Sequence, residues 1–183
     1  KDINGGSKVE NFVAIDFELS NSNPTSICEI GLVKHTAGKE PEVFHSLVRP
    51  DIDEWEVDPF CHSIHGLTSE DIQNAPRLTE IWPNVLVFIE DLPLVAHNAT
   101  QDMNKLCSTL EDLNLSISDR LFFCTLTIAR NDSSIALDSG YGLADLSRYL
   151  NIEWDEALRP SGAVGHSALA DAQSTAEIME YLL

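Results

Sequence analysis

Cations are scarce in this sequence. It carries 11 Lys and Arg against 30 Asp and Glu, a formal net charge of −19. Broad binding to duplex nucleic acid rests on cations that neutralise phosphates, so the balance excludes that mode. It leaves room for a site that grips a few terminal nucleotides through bound metal ions. No Cys-x-x-Cys pair occurs among Cys28, Cys61, Cys107 and Cys124. That scatter argues against a zinc site and against a disulfide framework, and it fits a reducing compartment.

Long apolar runs are missing, and so is an N-terminal basic-then-apolar segment. The expectation is a soluble, cytoplasmic protein with no membrane role. There is no P-loop, no His-Glu-x-x-His, no Gly-x-Ser-x-Gly and no complete Gly-x-Gly-x-x-Gly. Repeats and low-complexity tracts are absent too. Asn-x-Ser/Thr matches at Asn98, Asn114 and Asn131 read as chance without a secretory signal. At 183 residues, 43% hydrophobic and 22% charged, the chain reads as one globular domain. Its expected extent is residues 10–183, after a polar tail at 1–9.

Periodicity gives an outline. Residues 10–19 read as a doubly covered strand, with Phe12, Ala14, Asp16 and Glu18 on one face and Val13, Ile15, Phe17 and Leu19 on the other. Strands at 27–35 and 42–48 follow, joined by a turn near Gly38. Residues 50–66 read as an acidic, irregular, solvated loop, since the glycine and terminal Glu of a calcium loop are missing. A helix is expected at 78–90 with Leu78, Ile81, Trp82, Val85 and Phe88 on its stripe, starting late or kinked at Pro83. Short strands at 94–97 and 121–124 alternate with helices at 100–113, 125–130, 142–150 and 167–183. Three meandering strands followed by alternating helices and strands give an α/β domain with a mixed sheet.

Acids stand where this pattern calls for apolar side chains. Asp16 and Glu18 share one strand face at its C-terminal end, where open α/β sheets place ligands. Asp102 lies in the first turn of its helix. Such an acid commonly just complements the helix dipole, but the stripe through Leu106, Leu110 and Leu113 turns this one toward the sheet. Asp171 shares a small-residue, inward face with Ser167, Ala168, Ser174 and Thr175, where an unpaired carboxylate would cost about 3–5 kcal/mol. His166 projects from the loop before that helix, freed by the Gly162 and Gly165 region. Oxygen-only ligation selects magnesium or manganese. Two such ions about 4 Å apart support phosphodiester hydrolysis, with a histidine of ordinary pKa about 6.5 as the general base.

The order Asp-x-Glu, then His-Asn followed by Asp, then His-x-Ala-x-x-Asp-Ala resembles the DEDDh 3′→5′ exonucleases. These include the proofreading subunit of bacterial replicative polymerases and the RNase T-like enzymes. The likeness runs from about Asn11 to the C-terminus, through Ile64-His65-Gly66-Leu67-Thr68 and Leu94-Val95-Ala96-His97-Asn98-Ala99. It implies an RNase H-like fold, a five-stranded mixed sheet flanked by helices. It further implies that Asp16, Glu18, Asp102 and Asp171 hold two divalent ions, Mg²⁺ or Mn²⁺, and that His166 deprotonates the attacking water. Leu19, His65, Thr68 and Asn98 would line the terminal-nucleotide pocket.

Three positions depart from the family pattern. Leu19 stands where Thr is common, Gln101 replaces a bulky apolar residue, and Cys124-Thr125 replaces Asp-Thr. The expected substrate is the 3′ end of single-stranded DNA or RNA, released as nucleoside 5′-monophosphates. Alternatives are a hydrolase of dinucleotides or short oligoribonucleotides, and a silent interaction module. The sequence closes at Tyr181-Leu182-Leu183 inside a helix, which gives no support for a DNA polymerase partner.

Overall fold

In the computed structural model, residues 10–153 and 166–183 are described. The expected tail and the Gly162 and Gly165 loop lie outside them. Five strands form one mixed sheet in the order β3-β2-β1-β4-β5. Strand β1 spans Asn11–Leu19, β2 Ile27–Thr36, β3 Glu42–Leu47, β4 Leu94–Ala96 and β5 Phe122–Cys124. The first three are antiparallel, whereas β4 and β5 run parallel to β1. This is the RNase H-like architecture.

Alternation along β1 decides the layering. Val13, Ile15 and Phe17 pack with Ile30 and Leu32 against helices α3 (Leu78–Ile89) and α4 (Ala99–Asp112). Phe12 and Ala14 point the other way, against Leu169, Ala172, Ala176 and Met179 of α7 (Ala168–Leu182). Helices α5 (Thr125–Asn131) and α6 (Leu143–Leu150) supply Ala129 and Leu146 to a satellite cluster around Ile178 of α7.

Two expectations need correction. The stretch read as an irregular loop contains a helix, α1 (Pro59–His65). Asp58 accepts the Cys61 N–H at 2.7 Å, Pro59 opens the first turn, and Gly66 closes the helix at φ 76°. A four-residue helix α2 (Ser69–Ile72) follows, with Thr68 and Asp71 capping each other. Helix α3 runs from Leu78 without a late start, because exposed Pro83 sits off the buried stripe that docks the helix. Ile89 is also buried on that stripe, and Phe88 is half-buried against the same core, beside Phe44.

Helix α7 lies directly on β2. A Cβ built on Gly31 would stand 2.3 Å from the Ala168 carbonyl carbon and 2.4 Å from the Leu169 nitrogen. Only glycine permits that approach. Gly31→Ala is expected to cost at least about 1–3 kcal/mol, the range for overpacking. Urea unfolding would show this as a lower midpoint at constant slope, and an unchanged midpoint would contradict the close packing.

Candidate active site

Parallel pairing of β1 and β4 aligns their C-terminal ends, and the site is built there. Asp16 and Glu18 project on the α7 side of β1, opposite Gly31 and Glu29 across the antiparallel ladder. A register shift between Glu18 and Leu19 ends the regular pairing just beyond the acids. From β4 the chain turns through Asn98 in the left-handed region, φ 60°, into α4. That turn places Asp102 in the first turn of α4 with 9% of its surface exposed.

Asp171, in the first turn of α7, is buried. His166 precedes the helix and its ring is largely exposed. Its Nδ1 lies 2.6 Å from Asp171 Oδ2, and its main-chain N–H donates to the Ile64 carbonyl at 3.0 Å. The latter bond ties the start of α7 to α1. Donor atoms of Glu18, His166 and Asp171 all fall within 4.8 Å of one another. Asp16 and Asp102 are not part of that close group, but both lie within electrostatic reach of Asp171.

The electrostatics of this group are unfavourable without cations. Burial, and then the charges of Asp171, Glu18 and Asp102, push the Asp16 carboxyl well above the usual carboxylate range. Burial, with Asp171 next, raises Glu18 to about 8. Asp102 is raised by burial as well, partly offset by Lys105, whose Nζ is 3.7 Å from Asp102 Oδ1. Asp171 Oδ1 is buried and, among the described residues, has no hydrogen-bond partner. An oxygen-rich donor set with an orphaned, buried carboxylate oxygen suits hard divalent cations. The residues present therefore fit such ions.

Several expected pocket residues are engaged within the protein. His65 is buried, its Nδ1 3.1 Å from the Leu67 nitrogen and its Nε2 3.0 Å from the Leu19 carbonyl. Those two bonds fix Nε2 as the protonated nitrogen, and burial lowers the ring's pKa, so it stays neutral. His65 thus holds the end of β1 in place. The Thr68 hydroxyl is 2.7 Å from Asp71 and caps α2. Leu19 is half-buried against the main core, and Asn98 contributes the left-handed turn. Gln101 is exposed on α4, beside buried Asp102.

Two residues to which the sequence assigns no role, Glu29 and His97, also shape the site. Glu29, 1% exposed, accepts the Ala168 N–H at 3.1 Å and lies 3.4 Å from the Ser167 hydroxyl and 2.7 Å from His45 Nε2. It satisfies the N-terminus of α7 from the neighbouring strand. The signal was a lone acid inside the apolar run Ile27 to Val33. His97 bridges the Thr125 hydroxyl at 2.8 Å and the Tyr141 carbonyl at 3.0 Å, linking β4 to α5.

Against this geometry the comparisons with known proteins are direct. A family model described as Exonuclease (RNase_T) matches residues 13–179. The chain belongs to this exonuclease family. A DNA polymerase III PolC-type protein of Thermotoga maritima is 30% identical over 169 residues, covering 91% of this chain and 11% of that protein. The 3′-5′ exonuclease DinG of Staphylococcus epidermidis is 24% identical over 173 residues, 93% of this chain and 18% of its own length. The chain therefore spans under a fifth of either relative. Exonuclease X, solved with 5′ overhanging duplex DNA, shares the fold at a TM-score of 0.69 and 24% identity, covering 93% of this chain and 90% of its own. No helix among the described residues is long and apolar enough to cross a membrane.

The raised carboxyls make the metal-free stability pH-dependent. Between the ordinary carboxylate range and about 8, the folded chain holds a proton on Glu18 that the unfolded chain has released, and Asp16, raised mainly by burial, acts in the same direction. Their contribution is full below that range and is lost as pH rises through the folded values. In EDTA the thermal midpoint is expected to fall between about pH 5 and pH 8, and saturating Mg²⁺ or Mn²⁺ should remove the fall. A flat profile in EDTA would contradict the crowding.

Proposed function

We propose that this domain is a metal-dependent 3′→5′ exonuclease acting on single-stranded ends of DNA or RNA and releasing nucleoside 5′-monophosphates. The observation that carries the reading is Asp171. One carboxylate oxygen meets His166 Nδ1 at 2.6 Å while the other is buried without a partner among the described residues, beside Glu18. Such a carboxylate can orient a base with one oxygen and hold a cation with the other.

Asp16, Glu18, Asp102 and Asp171 would hold two divalent ions, Mg²⁺ or Mn²⁺, which when bound supply charge for the phosphate and acidify water. The protein's own steps follow from its hydrogen bonds. With Nδ1–H donating to Asp171, the neutral His166 ring carries its lone pair on Nε2 and can take the proton of an attacking water. Attack on the terminal phosphodiester then breaks the bond to the 3′ oxygen of the preceding nucleotide, leaving a 5′-phosphate on the released unit. Leu19 at the end of β1 and Asn98 just beyond β4 would contact the last nucleotide, with His65 bracing the Leu19 carbonyl.

The names of the relatives support the direction and the substrate class: one is a 3′-5′ exonuclease, and Exonuclease X was solved on overhanging DNA. A second reading, hydrolysis of dinucleotides or short oligoribonucleotides, draws on the net charge of −19, which suits small substrates.

The test is a time course on 5′-labelled single-stranded DNA and RNA of one sequence, with a dinucleotide beside them, in Mg²⁺, Mn²⁺ and EDTA. The expected result is a metal-dependent ladder shortening from the 3′ end. His166→Ala should slow it by about 10²–10⁴-fold, the range for losing a general base. Asp102→Ala should lower turnover severely, and circular dichroism should show both variants folded. Wild-type rates in both variants would remove the assignment, and turnover of the dinucleotide alone would select the second reading.

A further inference from the structure

An enzyme with this charge balance has an unsolved problem of grip. Its described cations are largely committed elsewhere. Lys34 pairs with Glu90, Arg77 with Asp51 and Arg148 with Asp145, while Arg49 stacks on Trp55. Lys105 reaches Asp102 inside the acidic group. Phosphate neutralisation along a strand is therefore a poor source of affinity. The other general source for single strands is stacking of bases on aromatic faces, which is indifferent to charge and to sequence.

Helix α1, which is bonded to His166 and to the end of β1, offers such a face. Phe60 is 72% exposed, an unusual degree for a phenylalanine. It sits one turn before Ile64 on the same side of the helix, and the Ile64 carbonyl holds the main chain of His166. His65, at the end of the same helix, bonds the Leu19 carbonyl at the end of β1. Cys61, next to Phe60, lies within electrostatic reach of Glu18 and Lys105. Phe60 is thus carried by a helix tied to the main chain of His166 and of Leu19, the neighbours of Asp171 and Glu18. Tyr181, also exposed, lies at the far end of α7 from Asp171.

Resting on the exonuclease reading above, we infer that Phe60 is a stacking platform for a nucleobase of the strand that leads to the 3′ end. Substrate affinity then comes from stacking and bound metal, and depends only weakly on salt. Phe60 sets binding and KM, and through them the preference for strands over dinucleotides.

The test uses a single strand of about ten nucleotides, within the usual reach of such sites, with 2-aminopurine placed at successive bases. Binding is measured to the His166→Ala chain in calcium, and KM to the wild-type chain in magnesium. Phe60→Ala is expected to raise Kd and KM by about 5- to 150-fold, the loss of one stacked base. It should also relieve the quenching of 2-aminopurine at one base, and Phe60→Trp should restore both. The exposed Tyr181→Ala should change neither.

Between about 50 and 200 mM salt, Kd should move far less than the 10³–10⁵-fold of a protein neutralising many phosphates. A wild-type ladder that Phe60→Ala leaves with unchanged KM and quenching overturns this inference alone. A steep salt dependence indifferent to Phe60 also overturns it. No ladder from the wild-type chain overturns the exonuclease reading and this inference with it.

Discussion

Like charges held together out of water are the constraint on which this structure turns. Asp16, Glu18, Asp102 and Asp171 converge where β1 and β4 end, and Glu29 lies beside Glu18 across the ladder. Two carboxylates at about 4 Å in a partly desolvated setting repel by roughly 4 kcal/mol, and each pays desolvation as well. Near neutral pH the metal-free group responds by keeping protons, as the raised Asp16 and Glu18 show. Divalent cations relieve the same repulsion without protons, so metal binding and deprotonation are two sides of one equilibrium.

The rest of the fold keeps these acids from moving apart. Gly31 lets α7 come close enough to set Asp171 over the sheet, and Glu29 caps the start of that helix. Two histidines act as neutral braces: His65 fixes the carbonyl of Leu19, and His97 joins β4 to α5. Burial lowers the pKa of both, which keeps further charge out of the neighbourhood. These contacts brace the acids on their buried side, and the ring of His166 is exposed.

Much of this was legible because period and composition agree. The two-residue alternation along Asn11 to Leu19 named the correct faces, and the stripe through Asp102, Leu106 and Leu110 placed Asp102 inward. Helix α1 was hidden by the acidic composition of residues 50–66. The cue was there in Asp58-Pro59, a cap followed by a proline in the first turn. Glu29 stands out as a lone acid in an apolar strand, but its role does not, because its partners at Ala168, Ser167 and His45 are brought to it only by the fold. For His65 the sequence marked the position but not the direction of the ring, because its partners at Leu19 and Leu67 are main-chain atoms that side-chain patterns do not reveal.

The central claim, that desolvated carboxylates exchange protons for metal ions, is tested most directly by calorimetry. Mn²⁺ would be titrated into the metal-free chain near pH 7 in two buffers of different ionisation enthalpy. The account predicts about two ions per chain, protons released into the buffer, and a large loss of affinity in Asp16→Asn. Binding with no proton release, or no binding at all, would contradict it.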